Sequence, residues 1–344
     1  MKADQLLKAA KSATVTEAAA QEKKAKKLLR RRNVTLVEFA NGLDCSPSKA
    51  EAIIEKLKLD GYNVSLKDGE VFLSCEIPSA PPLVVNSKDF FDGKRYKFGA
   101  LGDSHLCNRH ARLDVLNSLY DIYEREGITR VFHTGNIVDG EFRFNRHELL
   151  VRSGFEPQIE YLVNEYPERK GIETWFITGE DHEGWWVQRE AINVGERMQQ
   201  SAEKAGRHDL KWIGHLERDI HFKAKNGMSW GRLMHPGGGS AYATSYTEQK
   251  IVEALQGGEK PRFMLIGHYH KFDQGYPREV YTVQTACTCD QTAFLRRQKI
   301  RVDVGGTIID FHQADSGEIN RFRVEFLGFF DRGFYEKNDK YRTW

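Results

Sequence analysis

Five short clusters rich in Asp and His each close a hydrophobic run that reads as a strand. Asp103-Ser104-His105 follows the run from Tyr96 to Gly102, and Gly135-Asn136-Ile137-Val138-Asp139 follows Arg130 to Thr134. Asp181-His182-Glu183 follows Thr174 to Glu180. His235-Pro236 and its glycines follow Trp230 to Met234, and Gly267-His268-Tyr269-His270 follows Arg262 to Ile266. Buried strands that deliver such side chains to loops make an α/β scaffold that gathers ligands at one edge of its sheets. Asp and His together suit Mn, Fe or Zn better than Ca or Mg, which prefer oxygen alone. One cluster would carry little, because an Asp-x-His arises by chance in many chains. Five in series, each after a strand-like run, point to a dinuclear metal hydrolase.

The order Asp-x-His, Gly-Asp-x-x-Asp, Gly-Asn-His-Asp/Glu, His, Gly-His-x-His resembles the signature of calcineurin-like metallophosphoesterases, over roughly residues 96–330. The resemblance implies an α/β (α+β) fold of four layers, a two-sheet β-sandwich flanked by helices, with two divalent metal ions at the strand ends. Matched by position, it implies one ion held by Asp103, His105, Asn136 and His270, and the other by Asn136, Asp181, His235 and His268. It further implies His182 as the catalytic imidazole and Asp139 as the carboxylate that orients it. Mn is the expected metal, with Fe, Zn or Mg as alternatives. The domain is similar to the SbcD-type nuclease branch. The stretches around His182 and His235 resemble phage-encoded metallophosphoesterases more closely still, which brings no substrate with it.

Two positions depart from that pattern. Asn136 stands where the bridging Asp is usual, and Asp181 stands where Asn is usual. A neutral amide bridges two cations less well than a carboxylate, because it presents one good oxygen instead of two. The two changes are reciprocal, so the ligand charge is conserved, which favours a retuned site over a dead one. Two divalent ions can polarise phosphoryl oxygens and acidify a water, and an imidazole near neutrality can protonate a leaving alkoxide. His182 is accordingly the expected general acid.

At 344 residues the chain has room for a catalytic domain and a smaller second one. The formal net charge of +2 says nothing about an acidic partner, but its distribution does. Lys23, Lys24, Lys26, Lys27, Arg30, Arg31 and Arg32 follow Glu22 with no other acid among them. Such a run is usually a solvated helix face, and attraction to nucleic acid is the sharper reading. No apolar run is long enough to span a membrane, and no hydrophobic stretch near the N-terminus suggests a signal peptide. The five cysteines are scattered, as expected of a reduced, cytoplasmic protein (host cytoplasm if phage-encoded), and Cys287-x-Cys289 reads as structural.

Apolar spacing predicts a helix over 34–43, with Leu36, Phe39, Ala40 and Leu43 inward. Ser46-Pro47 starts a second helix, with Ala50, Ile53, Ile54 and Leu57 inward and an end near Gly61. Tyr62, Val64 and Leu66 then alternate, Asp68-Gly69 makes a hairpin turn, and Val71 and Leu73 alternate back. Helix, turn, helix and hairpin are similar to a winged helix-turn-helix, which would expose Ser48, Lys49 and Lys56 to DNA. Protein contact or dimerisation is the other use of such a module.

The expected organisation is a basic helix and winged helix-like domain over 1–75, a Pro-containing linker over 76–95, and the hydrolase domain over 96–344. Residues 110–126 and 185–206 read as amphipathic helices, and Glu279 to Phe330 as β-structure. The expected activity is metal-dependent hydrolysis of nucleic-acid phosphodiester bonds, with DNA as first choice of partner. A homodimer is left open. Two alternatives stand beside it: a phosphatase or phosphodiesterase for a small nucleotide, and a DNA-binding regulator with a vestigial hydrolase domain.

Overall fold

The computed structural model describes residues 20–30, 32–74, 76–86, 94–141, 147–239 and 241–329. Arg31 and Cys75 lie outside them. The chain divides into two compact units, one of residues 1–77 with Trp186–Val194, the other of Pro78–Trp185 with Gly195–Trp344.

In the first unit residues 20–29 form α1. Strand β1 (Val34–Thr35) leads into α2 (Leu36–Gly42), so the helix expected from residue 34 starts later. The reason is a capping box: Thr35 accepts the Glu38 N–H, and the Glu38 carboxylate accepts the Thr35 N–H. Ser46 caps α3 (Pro47–Leu59), with Pro47 in its first turn. Strands β2 (Val64–Lys67) and β3 (Glu70–Leu73) form a hairpin around Asp68 (φ 54°) and Gly69 (φ 81°), both left-handed as a type I′ turn requires. The three strands pair antiparallel in the order β1-β3-β2, over a core of Phe39, Ile54, Leu57, Val64 and Val71.

The second unit holds two six-stranded sheets. The first has β5 (Arg95–Leu101), β6 (Arg130–His133), β7 (Glu173–Thr178), β8 (Leu210–His215), β14 (Val304–Gln313) and β15 (Ile319–Phe329), in the order β15-β14-β5-β6-β7-β8. The second has β4 (Leu83–Asn86), β9 (Glu217–Lys223), β10 (Met228–Met234), β11 (Phe263–Ile266), β12 (Asp273–Gly275) and β13 (Tyr281–Gln284), in the order β12-β13-β11-β10-β9-β4. Aromatic rings from the two sheets interlock: Tyr96 meets Phe222 at 4.9 Å between centroids, and Phe311 meets Phe222 at 5.2 Å and Phe263 at 5.6 Å. These residues are fully buried and join Phe98, Phe132, Leu233 and Leu265 in one core between the sheets.

Helices cover the outer faces. α4 (Leu113–Arg125) buries Leu116, Leu119, Tyr120 and Tyr123. Tyr123 lies over Gly99 and Gly306, where an added Cβ would come within 2.8 and 2.6 Å of its ring or hydroxyl. α5 (Phe155–Glu165) buries Ile159 and Leu162, and the hydroxyl of Tyr120 meets that of Tyr166 just beyond it at 3.0 Å. α8 (Thr244–Ala254) packs Val252 with Met264, Ile266 and Val280 on the second sheet. The result is a four-layer α/β architecture, two sheets flanked by helices.

Three further expectations change. Leu83–Asn86, inside the stretch read as linker, pairs parallel with β9 and buries Val85. The helix expected over 185–206 is two helices, α6 (Gly184–Glu190) and α7 (Val194–Lys204). Between them Ala191 turns left-handed (φ 52°), Ile192 bridges to Tyr62, and Asn193 donates to the Gly61 carbonyl, so the backbone groups at the break find partners outside a helix. The run after Glu279 is not all β: α9 (Ala293–Arg297) interrupts it, capped by Thr292. Among the described residues no helix is long and apolar enough to cross a membrane, and Cys45, Cys107, Cys287 and Cys289 are free thiols.

Candidate metal centre

Strands β5, β6 and β7 run parallel, as do β10, β11 and β13 in the other sheet. Of these, β5, β6, β7, β10 and β11 each carry a cluster just past the C-terminal end, where open α/β sheets place their ligands. The chain turns sharply there. Asp103 (φ 49°), His105 (φ 46°), Asn136 (φ 54°), His182 (φ 54°), His268 (φ 79°) and His270 (φ 56°) all adopt left-handed backbone. Non-glycine residues rarely do so, and such strain concentrates at functional sites.

Asp103, His105 and His270 form one group. His105 Nε2 lies 3.1 Å from His270 Nε2, and Asp103 Oδ1 lies 3.8 and 3.4 Å from those nitrogens. A metal with bonds of about 2.1 Å has ligand–ligand edges of about 3.0 Å when octahedral and about 3.4 Å when tetrahedral. The triangle therefore has the size of one face of a coordination shell. The His105 Nδ1–H donates to Asp139 Oδ1 at 3.1 Å, which leaves Nε2 with its lone pair. Asp103 Oδ2 accepts the His268 N–H at 2.8 Å. Burial opposes ionisation of Asp103, but the imidazoles of His270, His235 and His105 hold its carboxyl well below the usual range.

Asn136 and His235 form a second group. The Thr134 carbonyl can only accept, so the 2.7 Å contact puts the hydrogen on His235 Nδ1 and leaves Nε2 bare. Both His235 Nε2 and Asn136 Oδ1 are buried without a hydrogen-bond partner. They share one cradle, since a Cβ on Gly179 would lie 2.5 Å from Asn136 Oδ1 and 2.9 Å from His235 Nε2. Two orphaned buried acceptors facing one gap is the arrangement a cation satisfies. The Asn136 Nδ2 donates to Asp103 Oδ1 at 3.3 Å. Its amide thus gives nitrogen to the first group and oxygen to the second, so in this arrangement it offers one ligand atom where a bridging carboxylate would offer two.

Asp181 and His268 line a cavity together with His105, Asn136, His182 and His270. The His268 ring lies 5.3 Å from that of His235, and its Nε2 is 2.7 Å from the Gly238 carbonyl. Asp139 is shared. Its carboxylate takes His105, its backbone carbonyl takes His182 Nδ1 at 2.9 Å, and Oδ1 lies 3.4 Å from the same nitrogen. Burial alone would pull His182 down, yet the Asp139 carboxylate and carbonyl raise it above the ordinary histidine value.

Three positions escaped the sequence reading. Glu183 is buried, and its Oε1 accepts the N–H groups of Asn136 (2.8 Å) and Gly179 (3.0 Å), tying the β6 and β7 loops together. Burial pushes its carboxyl up to about 8. His133 Nδ1 accepts the Gly135 N–H at 3.2 Å, so its Nε2–H donates to Ser104 at 2.8 Å, and the Ser104 hydroxyl donates to the Ile137 carbonyl at 3.1 Å. Asn108 donates to Asp139 Oδ2 at 3.0 Å. Glu183 stood in plain view beside His182, but a carboxylate reads as solvated until the fold buries it.

The residues assigned to nucleic acid lie in the first unit. Lys23, Lys26, Lys27 and Arg30 line one groove on α1. Lys24 points elsewhere and pairs with Asp44 at 2.7 Å. Lys26 is held by Glu22 (2.7 Å) and the Tyr62 hydroxyl (2.8 Å), and Lys56 lies 3.6 Å from Glu22. Lys49 is exposed in the first turn of α3.

No model of a known protein family matches the chain, and no curated protein matches it. Solved structures do. An archaeal phosphodiesterase is 14% identical over 67% of this chain and 99% of its own, with a TM-score of 0.34. Zinc-bound Vps29 from Entamoeba histolytica is 14% identical over 68% and 99%, with a TM-score of 0.30. A phosphatase from Mycoplasma pneumoniae is 12% identical over 70% and 96%, with a TM-score of 0.36. The architecture stands on the strand order and packing given above, and the chemistry stands on the site's own geometry.

Proposed function

We propose that the chain is a calcineurin-like metallophosphoesterase, a phosphodiesterase that takes two divalent ions and cleaves nucleic acid, with DNA as the favoured substrate. What carries this reading is the orphaned pair of Asn136 Oδ1 and His235 Nε2 beside the coordination-sized triangle of Asp103, His105 and His270. The donor set fits Mn, Fe or Zn. Asp103, His105 and His270 would hold one ion, and Asn136 and His235 the other, with Asp181 and His268 at hand on the cavity wall. When bound, such ions supply a Lewis-acidic clamp on the phosphoryl oxygens and acidify a water.

The remaining chemistry belongs to the chain. His182, whose affinity for its proton Asp139 raises, would donate that proton to the leaving oxygen. Asp139 fixes both His105 and His182, so one carboxylate sets a ligand's tautomer and the acid's orientation. Glu183 holds the two loops in register. The first unit, read as a winged helix, would hold the polynucleotide through the groove on α1.

A screen of Mn-loaded protein against single- and double-stranded DNA, RNA, cyclic nucleotides and bis-p-nitrophenyl phosphate tests the reading. Metal-stimulated cleavage of DNA is expected, and no metal-dependent hydrolysis of any phosphodiester would refute it. Lys23→Glu with Lys27→Glu should weaken DNA binding and flatten its salt dependence by a log–log slope of about 2, one for each phosphate that a lysine no longer neutralises. An unchanged slope would remove the α1 groove from DNA binding and favour an assembly role.

A further inference from the structure

The cavity that opens on the histidine cluster has a second wall of different chemistry. It encloses about 530 Å³, within the range of small-ligand sites, and besides the histidines it is lined by Leu149, Phe294, Leu295, Gln298 and Ile300. Most of that wall is α9 and the turn after it, and hydrogen bonds fix its shape. Thr292 accepts the Leu295 N–H at 3.2 Å, Gln298 donates to the Phe294 carbonyl at 3.0 Å, and Ile300 donates to the Leu295 carbonyl at 2.9 Å. The Gln291 side chain closes the loop on the Ile300 carbonyl at 2.7 Å.

A phosphodiester in front of His182 has no use for such a wall on its own account, because phosphate is anionic and strongly hydrated. The wall suits an uncharged, flat group with polar edges. Phe294 is 45% exposed although large and aromatic, and it lines the cavity. Gln298 carries an amide that can donate and accept at a polar edge. Arg296, Arg297 and Lys299, all exposed on the same segment, put positive charge where an anionic backbone would leave the cavity. We propose that this wall is a subsite for one unstacked nucleobase, stacked on Phe294, so that the substrate is a nucleoside phosphodiester offered as a single strand or a frayed end. The proposal rests on the phosphodiesterase reading and narrows it.

Binding to the full chain separates the two ideas. Thymidine 5′-monophosphate should bind roughly ten- to hundredfold more tightly than methyl phosphate, the range that stacking one base supplies. Phe294→Ala should erase most of that preference, and Gln298→Ala part of it. Equal affinities in the unmodified protein, or a preference that survives Phe294→Ala, would overturn the subsite. In hydrolysis, the ratio of kcat/KM between thymidine 5′-p-nitrophenyl phosphate and methyl p-nitrophenyl phosphate should collapse toward one in Phe294→Ala, mostly through KM. Failure to hydrolyse either ester would sink the phosphodiesterase reading, while the binding comparison still decides the subsite.

Discussion

Gly179→Ala adds one methyl group to the cradle between Asn136 and His235 and removes no ligand. The new Cβ would lie 2.5 Å from Asn136 Oδ1, 2.7 Å from His235 Cδ2 and 2.9 Å from His235 Nε2, well inside van der Waals contact. The imidazole cannot retreat. Its Nδ1 is held at 2.7 Å by the Thr134 carbonyl, and Gly135 and Gly267 press so closely on its far side that a Cβ at either would come within 2.5 and 2.9 Å of that nitrogen. Asn136 is held through its backbone by Glu183. Gly179 has no left-handed backbone, so alanine is conformationally acceptable and the cost is overpacking, about 1–3 kcal/mol. The larger effect should fall on metal binding, since the methyl presses on both candidate donor atoms. Affinity at this position should drop at least about a hundredfold, the upper end for disturbing a ligand's surroundings. Elemental analysis after Mn loading and gel filtration should then find about one ion per chain where the unmodified protein holds about two. Phosphodiesterase turnover should fall with the lost ion, and thermal unfolding without metal should show only the modest overpacking loss. Gly258→Ala is the control, because nothing lies within 4 Å of a Cβ there. If Gly179→Ala keeps both ions at unchanged affinity, Asn136 and His235 do not form a metal position.

Asn136→Asp would place a second carboxylate where an amide now donates to Asp103 at 3.3 Å; it should destabilise the metal-free protein yet tighten metal binding, while Asp181→Asn should weaken it. Strictly additive effects of the two changes on affinity would show that the positions do not share a site. His182→Ala should leave metal content intact and lower turnover by roughly 10²–10⁴-fold for alkyl esters, with a much smaller loss for p-nitrophenyl esters, whose leaving group barely needs a proton. Equal losses on both would remove it as the general acid. Glu248, buried on α8 with Oε2 lacking a partner, is pushed by burial, and further by Asp273, from 4.5 up to about 7. It stays protonated in the folded chain while the unfolded chain ionises, so stability should fall between pH 4.5 and 7, by up to about 3 kcal/mol, and Glu248→Gln should abolish that slope in urea titrations.

The strand ends were legible because parallel strands buried on both faces leave unbroken apolar runs, and Phe263–Ile266 is such a run, buried at every residue. A polar cluster directly after such a run has few places to go, which is why the clusters could be read as gathered at one sheet edge; the grouping of Asp103 and His105 with His270, 165 residues on from His105, came from the family resemblance. The helix start at Pro47 and the turn at Asp68-Gly69 were readable for a local reason, since capping and left-handed turns depend on neighbours in sequence. What stayed hidden depends on distant partners. The break at Ala191 exists because Gly61 and Tyr62 offer pairing to residues 192 and 193, and Leu83–Asn86 becomes a strand only because β9 has an edge to offer. Asn136 could be read as a departure from a family pattern, but the way its amide divides between Asp103 and the His235 cradle emerges only in three dimensions.

The left-handed backbones at the site explain why so much aromatic core stands beneath it. A single non-glycine residue in that conformation costs about 1–2 kcal/mol, less for Asn and Asp, whose short side chains tolerate it. Asp103, His105, Asn136, His182, His268 and His270 together therefore carry strain on the scale of a domain's whole net stability, about 5–15 kcal/mol. The local tolerance of Asn, Asp and His for this conformation reduces the cost without removing it. The offset comes from the strands: each turn is made at the end of a segment locked by its ladder and by the Phe98, Phe222, Phe263 and Phe311 packing between the sheets. The candidate ligand atoms are consequently held near one another by the fold, an arrangement that lowers the cost of ordering loops around an ion.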